Sequence, residues 1–217
     1  AFNNSDLAVN IGGGQVSCLK KSPYNDVLFI GVDNGRIYKF TNASTATPTL
    51  TRIDNGSSPI TNTGWASSID IGSSDNQILV TYSSYGVISV WETANGGTTW
   101  LNKEGNLPDM PIRWAIYNPN NYNQVLAATE VGVWSTDNFQ PGVAGAPVWG
   151  PSNAGLAHTR CDMLKYRPAD NMVLVATHGR GLYTTDIFVN TTLADFTADP
   201  KFSCGGSLTT QFTDYID

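Results

Sequence analysis

The 217-residue sequence predicts an all-β fold assembled from a repeated unit. Four related segments, "VLFIGV" from Val27, "ILVTYS" from Ile78, "VLAATE" from Val125 and "VLVATH" from Val173, begin 47 to 51 residues apart. Each follows a turn rich in Asn, Pro and Asp and precedes a second short apolar segment. Charged residues make up only 14% of the chain, while Gly, Asn, Ser and Thr are abundant. This composition favours short strands and many turns over helices.

The third repeat shows the order of elements within one unit. It predicts a first strand from Ile112, a turn over "NPNNYN", a second strand from Gln124, a third from Val133 and a fourth in "PVWG" from Pro147. Four short antiparallel strands make one blade of a β-propeller. A β-sandwich gives no reason for a unit of this length to recur. We therefore predict about four blades, with repeats near residues 15–55, 66–107, 112–156 and 159–189.

The turn between the third and fourth strands carries a family resemblance. In the second repeat it reads "TANGGTTW", which resembles the Asp-box pattern S-x-D-x-G-x-T-W of sialidase-like propellers through Thr93, Asn95, Gly97 and Trp100. The asparagine side chain can bond nearby amides, the glycine can adopt positive φ, and the tryptophan can pack between strands. The motif therefore predicts a stabilised hairpin and not a catalytic site.

The other copies of this motif are incomplete. One consists of Ser135, Asp137 and Trp149 with "NFQPGVAGAP" inserted, and another survives only as Thr184-Thr185-Asp186. The chain has Asn in place of the family's Asp in its best copy and lacks the Gly or Trp elsewhere. The resemblance is thus to the superfamily and not to one enzyme.

A second resemblance concerns the source and the domain order. Over most of residues 11–189 the chain is similar to Asp-box propellers of secreted Bacteroidetes proteins, in which "LPDMPIRWAIYNPNN" and "VATHGRGLYTTDIF" have close analogues. This resemblance implies an extracellular or cell-surface location and type IX secretion. There "HGRGLY" belongs to the last blade.

The sequence pattern changes after Asn190. "ADFTADP" and "CGGSLTTQFTD" resemble the opening of a PKD-type β-sandwich, with strands over 194–198 and 207–213. We expect a propeller segment over 1–190 and a truncated PKD-like domain over 191–217, both within a longer protein. A small closed propeller with a tail is the rival interpretation.

Charge and motif content exclude several functions. The net charge is −6 and the 12 Lys and Arg residues are scattered, so nucleic acid is not an expected partner. No run of eighteen apolar residues predicts a membrane span. The two histidines and the cysteines lack the spacing of a metal site, and no cofactor motif is present. Cys18 and Cys161 occupy matching places in the first and fourth repeats, where a ring would keep them apart.

Candidate functional residues lie in two kinds of loop. Loops that join second to third strands, and loops that join successive blades, share one face of a propeller, which is the usual ligand face; we call it the loop face. Asp109 and Glu130 are candidates for the carboxylate pair of a glycoside hydrolase. The residues suited to ligand binding on this face are Tyr85, Arg113, His158, Arg160, His178 and Arg180. The six tryptophans are expected to be core residues and not sugar platforms.

These observations predict a non-catalytic propeller module of a large secreted or cell-surface protein. It would bind a glycan or a protein on the loop face and join further domains or chains through the PKD-like strand. Two alternatives stay open. One is a sialidase-like or xyloglucanase-like hydrolase with part of its site in other blades. The other is a subunit of an extracellular filament assembled by strand addition.

Overall fold

A computed structural model describes residues 11–156 and 158–188, together with two short backbone strands at 196–199 and 211–214. Fifteen strands within residues 11–188 form four antiparallel sheets. They are β1 (Val16–Lys21), β2 (Val27–Val32), β3 (Ile37–Thr41), β4 (Thr49–Arg52), β5 (Ala66–Ile71), β6 (Ile78–Tyr82), β7 (Val90–Thr93), β8 (Leu101–Asn102), β9 (Ile112–Asn118), β10 (Asn121–Thr129), β11 (Gly132–Thr136), β12 (Gly150–Pro151), β13 (Cys161–Arg167), β14 (Met172–Thr177) and β15 (Gly181–Thr185).

The sheets follow one another along the chain as propeller blades. The first three contain four strands each in sequence order, and the fourth contains β13, β14 and β15 within the described residues. The first strands of the blades lie side by side, because β5 contacts both β1 and β9, and β9 contacts β13. The described part of the chain contains no helix. The predicted all-β fold of four-stranded propeller blades is confirmed.

The strand register aligns the four repeats as the sequence predicts. The first residue of each repeated segment lies opposite the last residue of its blade's third strand: Val27 opposite Thr41, Ile78 opposite Thr93, Val125 opposite Thr136 and Val173 opposite Thr185. All four of these repeat residues are buried.

The fourth strand of the third blade begins later than the sequence predicts. It covers Gly150–Pro151 and not the segment from Pro147. Pro147 has no N–H to donate. The N–H of Trp149 instead donates to Oδ1 of Asn106, at 2.6 Å, in the connection from the second blade. Sheet pairing therefore starts only at Gly150.

The core lies between the blades. Separate clusters of buried residues join blades one and two, two and three, and three and four. Serine hydroxyls at equivalent positions add hydrogen bonds between first strands, from Ser17 to the Ala66 carbonyl and from Ser67 to the Ile112 carbonyl, both at 2.6 Å. Because the interfaces use matching positions, each blade holds the next in the same orientation.

Near the C-terminus, β16 (Phe196–Asp199) pairs antiparallel with β17 (Gln211–Asp214). These strands overlap those predicted for the PKD-like segment at 194–198 and 207–213. The remainder of that segment lies outside the described residues, as do Cys204 and the first ten residues of the chain. The PKD assignment thus stays a prediction.

Candidate functional site

Two exposed aromatic residues stand on the loop face of the second blade. Tyr85 lies between β6 and β7 and is 66% exposed, and Trp65 lies just before β5 and is 48% exposed. Their backbones are linked. The N–H of Ser83 donates to the Trp65 carbonyl at 3.0 Å, and the N–H of Trp65 donates to Oγ of Ser84 at 3.2 Å. The two aromatic residues therefore lie on backbone segments that are hydrogen-bonded to each other.

Asp109 fastens the same loop from the next connection. Its Oδ1 accepts a 2.8 Å hydrogen bond from the N–H of Gly86, which has a φ of 69° and directly follows Tyr85. A glycine suits this left-handed conformation. This carboxylate, one of the two predicted catalytic candidates, thus positions the aromatic loop.

Glu130, the other catalytic candidate, forms an ion pair with Arg113. Nε of Arg113 lies 2.7 Å from Oε1 of Glu130, and a terminal guanidinium nitrogen contacts the same oxygen. Both side chains are about a quarter exposed, at 27% and 24%. Asp109 and Glu130 therefore have different partners, a backbone amide for Asp109 and a guanidinium for Glu130.

The fourth blade brings two of the predicted ligand-face residues, Arg160 and His178, near Asp162. Nε of Arg160 lies 2.6 Å from Oδ1 of Asp162, and Nδ1 of His178 lies 3.3 Å from Oδ2. The N–H of His178 also donates to the Arg160 carbonyl at 2.8 Å. Arg180, in the same turn as His178, is exposed and has no polar partner among the described residues. Asp162 was not among the predicted residues, because it lies within β13 and not in a loop.

His158 is also exposed and, within residues 11–156 and 158–188, has no polar partner. It precedes β13 in the connection from the third blade. The structure gives it no contact with the ion pairs of the fourth blade. His158 is thus an isolated surface residue of the loop face.

The hairpin after β7 is closed by Asn95. Its Oδ1 accepts from the hydroxyl of Thr93 and from the N–H of Thr99, both at 2.9 Å. The N–H of Gly97, with a φ of 95°, donates to Oγ1 of Thr93 at 3.0 Å. Trp100 follows and is only 2% exposed. In this network the motif residues bond to one another and to the backbone of their own hairpin.

The corresponding hairpin of the third blade uses different residues from those predicted. Oδ1 of Asn138 accepts from the hydroxyl of Thr136 at 2.7 Å and from the N–H of Val148 at 2.9 Å. Ser135 and Asp137 lie one position earlier, and the structure gives them no part in this network. The insertion before Val148 makes it hard to recognise from the sequence that Asn138 is the acceptor, because Asn138 and the donor Val148 lie ten residues apart.

Two buried charged residues, Lys103 and Glu92, hold that insertion against the second blade. The ammonium of Lys103 donates to the carbonyls of Phe139, Gln140 and Val143 at 2.7 to 3.1 Å. Lys103 is 1% exposed and Glu92 is fully buried. Burial lowers the pKa of Lys103, and the charge of Glu92 opposes that change.

The carboxylate of Glu92 is perturbed in the opposite direction. Burial raises its pKa, while the N–H of Gly142 and the charge of Lys103 oppose the rise. Oε2 accepts the N–H of Gly142 at 3.1 Å. The pair lies in a blade interface away from the loop face, so its role is structural.

The cysteines and possible ligand groups show no redox or metal centre in the part that the structure describes. Cys18 and Cys161 are free thiols. Burial raises the pKa of Cys18 to about 12 and that of Cys161 to about 11, which disfavours the reactive thiolate. No group of three or more His, Cys, Asp or Glu residues in this part is placed to hold a metal ion. Nor does it contain a helix long and apolar enough to cross a membrane.

Neither a protein-family model nor a curated protein matches the chain. Solved structures do. A Saccharomyces cerevisiae Sqt1 structure matches with a TM-score of 0.56 and 15% identity, over 81% of this chain and 46% of that one. The Neurospora crassa Pan2 WD40 domain matches with a TM-score of 0.54 and 16% identity, over 82% and 48%.

An ancestral GH74 enzyme also matches, with a TM-score of 0.54 and 16% identity, over 81% of this chain and 23% of that one. The chain therefore spans half or less of the length of these three structures. Because they include both a WD40 domain and an enzyme, the likeness establishes the fold alone. The chain has the fold of a β-propeller, and the loop face around Trp65 and Tyr85 is its candidate binding surface.

Proposed function

We propose that this chain is a non-catalytic binding module that holds a protein partner on its loop face. The observation that carries the proposal is the exposure of Trp65 and Tyr85 on a loop fastened by Asp109. Tryptophan, tyrosine and arginine dominate the energetics of protein interfaces when they are presented on a rigid frame. A loop whose backbone is held before binding loses little conformational entropy in a complex.

The neighbouring blade extends this surface. Val131, in the loop after β10, is 49% exposed and directly follows Glu130, which pairs with Arg113. An apolar centre flanked by an ion pair is the arrangement found in many protein interfaces. Solved propellers similar to this chain include one from a mitotic checkpoint complex, which supports a protein partner for this fold.

The proposal includes the finer features that the sequence suggests. The hairpins resemble Asp-boxes, the C-terminal segment resembles a PKD domain, and both are common in secreted or cell-surface proteins of Bacteroidetes type. We place the module outside the cell as part of a longer chain on this basis. The PKD-like strand would join it to further domains or to other chains.

Binding arrays of extracellular proteins and glycans test the proposal. The expected result is binding to a protein, weakened at least tenfold by Tyr85→Ser and retained by Tyr24→Ser, which removes an exposed tyrosine outside the loop face. Binding only to glycans would replace the protein partner with a sugar. Turnover of a glycan that is abolished by Glu130→Gln would overturn the non-catalytic function.

A further inference from the structure

A cavity lies at the end of the blades opposite the loop face. It has a volume of about 390 Å³ and is lined by residues of all four blades, where the first strands end and turn back. Antiparallel strands place these turns at the opposite end from the loops between second and third strands. Its volume is in the range of small-ligand sites. No residue of the proposed protein-binding surface lines it.

The aromatic walls of this cavity are fixed by contacts within the protein. The hydroxyl of Tyr24 donates to the Gly72 carbonyl at 2.6 Å, which joins blades one and two. The ring of Tyr122 meets Tyr117 edge-on, with the ring centroids 5.7 Å apart. The hydroxyl of Tyr166 is hydrogen-bonded to Asn171. These rings therefore need little ordering when a ligand packs against them.

Some of the polar groups that line the cavity already have hydrogen-bond partners within the protein, and others have none among the described residues. The carboxylate of Asp70 accepts from Nζ of Lys20 at 2.7 Å and from the N–H of Tyr117 at 2.9 Å. By contrast, the ammonium of Lys165 and the indole N–H of Trp114 have no polar partner among the described residues. The cavity thus offers aromatic faces and free donors, while its carboxylate is occupied.

Three of the residues in the turns that frame the cavity are prolines, which have no backbone N–H to donate. Pro23, Pro119 and Pro168 line it, and each lies in the turn that follows the first strand of its blade. Their fixed φ angles make this part of the wall rigid. The lining is therefore formed before any ligand binds.

We propose that this cavity binds a proline-rich peptide segment that carries a carboxylate. Proline supplies carbonyl acceptors without an N–H, which suits a lining with free donors and an occupied acceptor. Proline-rich segments dock in aromatic-lined grooves in their preformed extended conformation. Lys165 pairs with the carboxylate, and the indole of Trp114 donates to a peptide carbonyl.

Titration with synthetic peptides tests this site. The probe is a decapeptide of two aspartates followed by prolines, and the readout is the ¹⁵N-labelled indole N–H signals, with that of Trp114 assigned through Trp114→Phe. The expected result is a saturable shift of the Trp114 signal. Lys165→Gln weakens this peptide about fivefold and leaves an uncharged proline decapeptide unaffected. Tyr85→Ser, at the other end of the blades, serves as the matched control and binds normally.

Three results would overturn the proposal. One is binding no tighter than that of a Gly-Ser peptide with the same two aspartates. Another is a shift confined to the Trp65 signal, which would place the peptide on the loop face. The last is a Trp114 shift produced by oligosaccharides and not by the proline peptide. The proposed function is tested by a different result, the loss of the protein partner found by the binding arrays in Tyr85→Ser. None of the three results above affects that test, so one proposal can fail while the other holds.

Discussion

The indole Nε1 of Trp100 lies 2.8 Å from the backbone carbonyl oxygen of Ile53, in the preceding blade. The same contact recurs one repeat later, where Nε1 of Trp149 lies 3.1 Å from the carbonyl oxygen of Lys103. Both acceptors directly follow the fourth strand of their blade. A residue of the hairpin motif thus joins two blades as well as closing its own.

Removing this hydrogen bond should destabilise the protein. Trp149→Phe deletes a donor that is 2% exposed and leaves the Lys103 carbonyl without it, so we expect a loss of about 1–3 kcal/mol in the free energy of unfolding, measured in urea. Trp65→Phe, on the exposed loop, is the control and should change stability by less than ~0.5 kcal/mol. Equal effects of the two substitutions would contradict the account.

The sequence was sufficient to predict the blades because strand patterning and turn residues repeat with the fold. It could not locate the hairpin acceptor of the third blade, since Asp137 and Asn138 are adjacent and both can cap a turn. It also grouped Trp65 with the core tryptophans. Only the packing around each ring distinguishes Trp65, at 48% exposed, from Trp100, at 2%.

Only part of the candidate site could be predicted from the sequence. Loop positions indicated Tyr85 and Asp109, but they did not indicate that the carboxylate of Asp109 accepts a hydrogen bond from the Gly86 amide beside the tyrosine. Such a contact joins two connections that are distant in sequence. Pairing of Glu130 with Arg113 likewise depends on how β9 and β10 align, which residue type alone does not specify.

The hairpin register gives a second prediction. Asn138→Ala should cost about 1 kcal/mol, because it removes the acceptor for the Thr136 hydroxyl and the Val148 N–H. Asp137→Ala should change stability by less than ~0.5 kcal/mol, since Asp137 is exposed and has no part in the network. Thermal unfolding of the two variants compares the residues directly. A larger loss of stability in Asp137→Ala than in Asn138→Ala would contradict this prediction and support the motif residues predicted from the sequence.

A third prediction concerns pH. Because burial raises the folded-state pKa of Glu92, its contribution favours folding most at low pH and declines as the pH rises through that folded-state value. The stability of the wild type relative to Glu92→Gln should therefore fall as the pH increases from about 4 towards neutrality. Urea unfolding of both proteins across this range measures the difference. A relative stability that rises with pH would contradict this prediction. It would show that the Gly142 N–H and the charge of Lys103 lower the pKa of Glu92 more than burial raises it.

The fourth prediction concerns the exposed face of the fourth blade. Leu174 and Leu126 occupy equivalent strand positions, but Leu174 is 37% exposed while Leu126, covered by the next blade, is 1% exposed. Leu126→Ala should cost about 2–5 kcal/mol and Leu174→Ala clearly less. Chemical denaturation measures both values. Equal losses would mean that something covers Leu174 in solution.

Asp109 gives a fifth prediction, on the local stability of the aromatic loop. Asp109→Ala removes the acceptor of the Gly86 N–H, so the exchange of that amide with deuterated water should accelerate about tenfold or more. Glu130→Gln lies on the same face and should leave the exchange unchanged. Unaltered exchange in Asp109→Ala would show that the loop is held by its other contacts.

Photo-cross-linking at position 85 tests the central claim, that the loop face holds a protein partner, most directly. The photoreactive residue p-benzoylphenylalanine would replace Tyr85 in one protein and Thr51, on the outer strand of the first blade, in another. Both would be irradiated at the cell surface, which is the location proposed above. Our account predicts a discrete protein adduct from position 85 and none from position 51. Adducts of equal yield from both positions, or none from position 85, would contradict it.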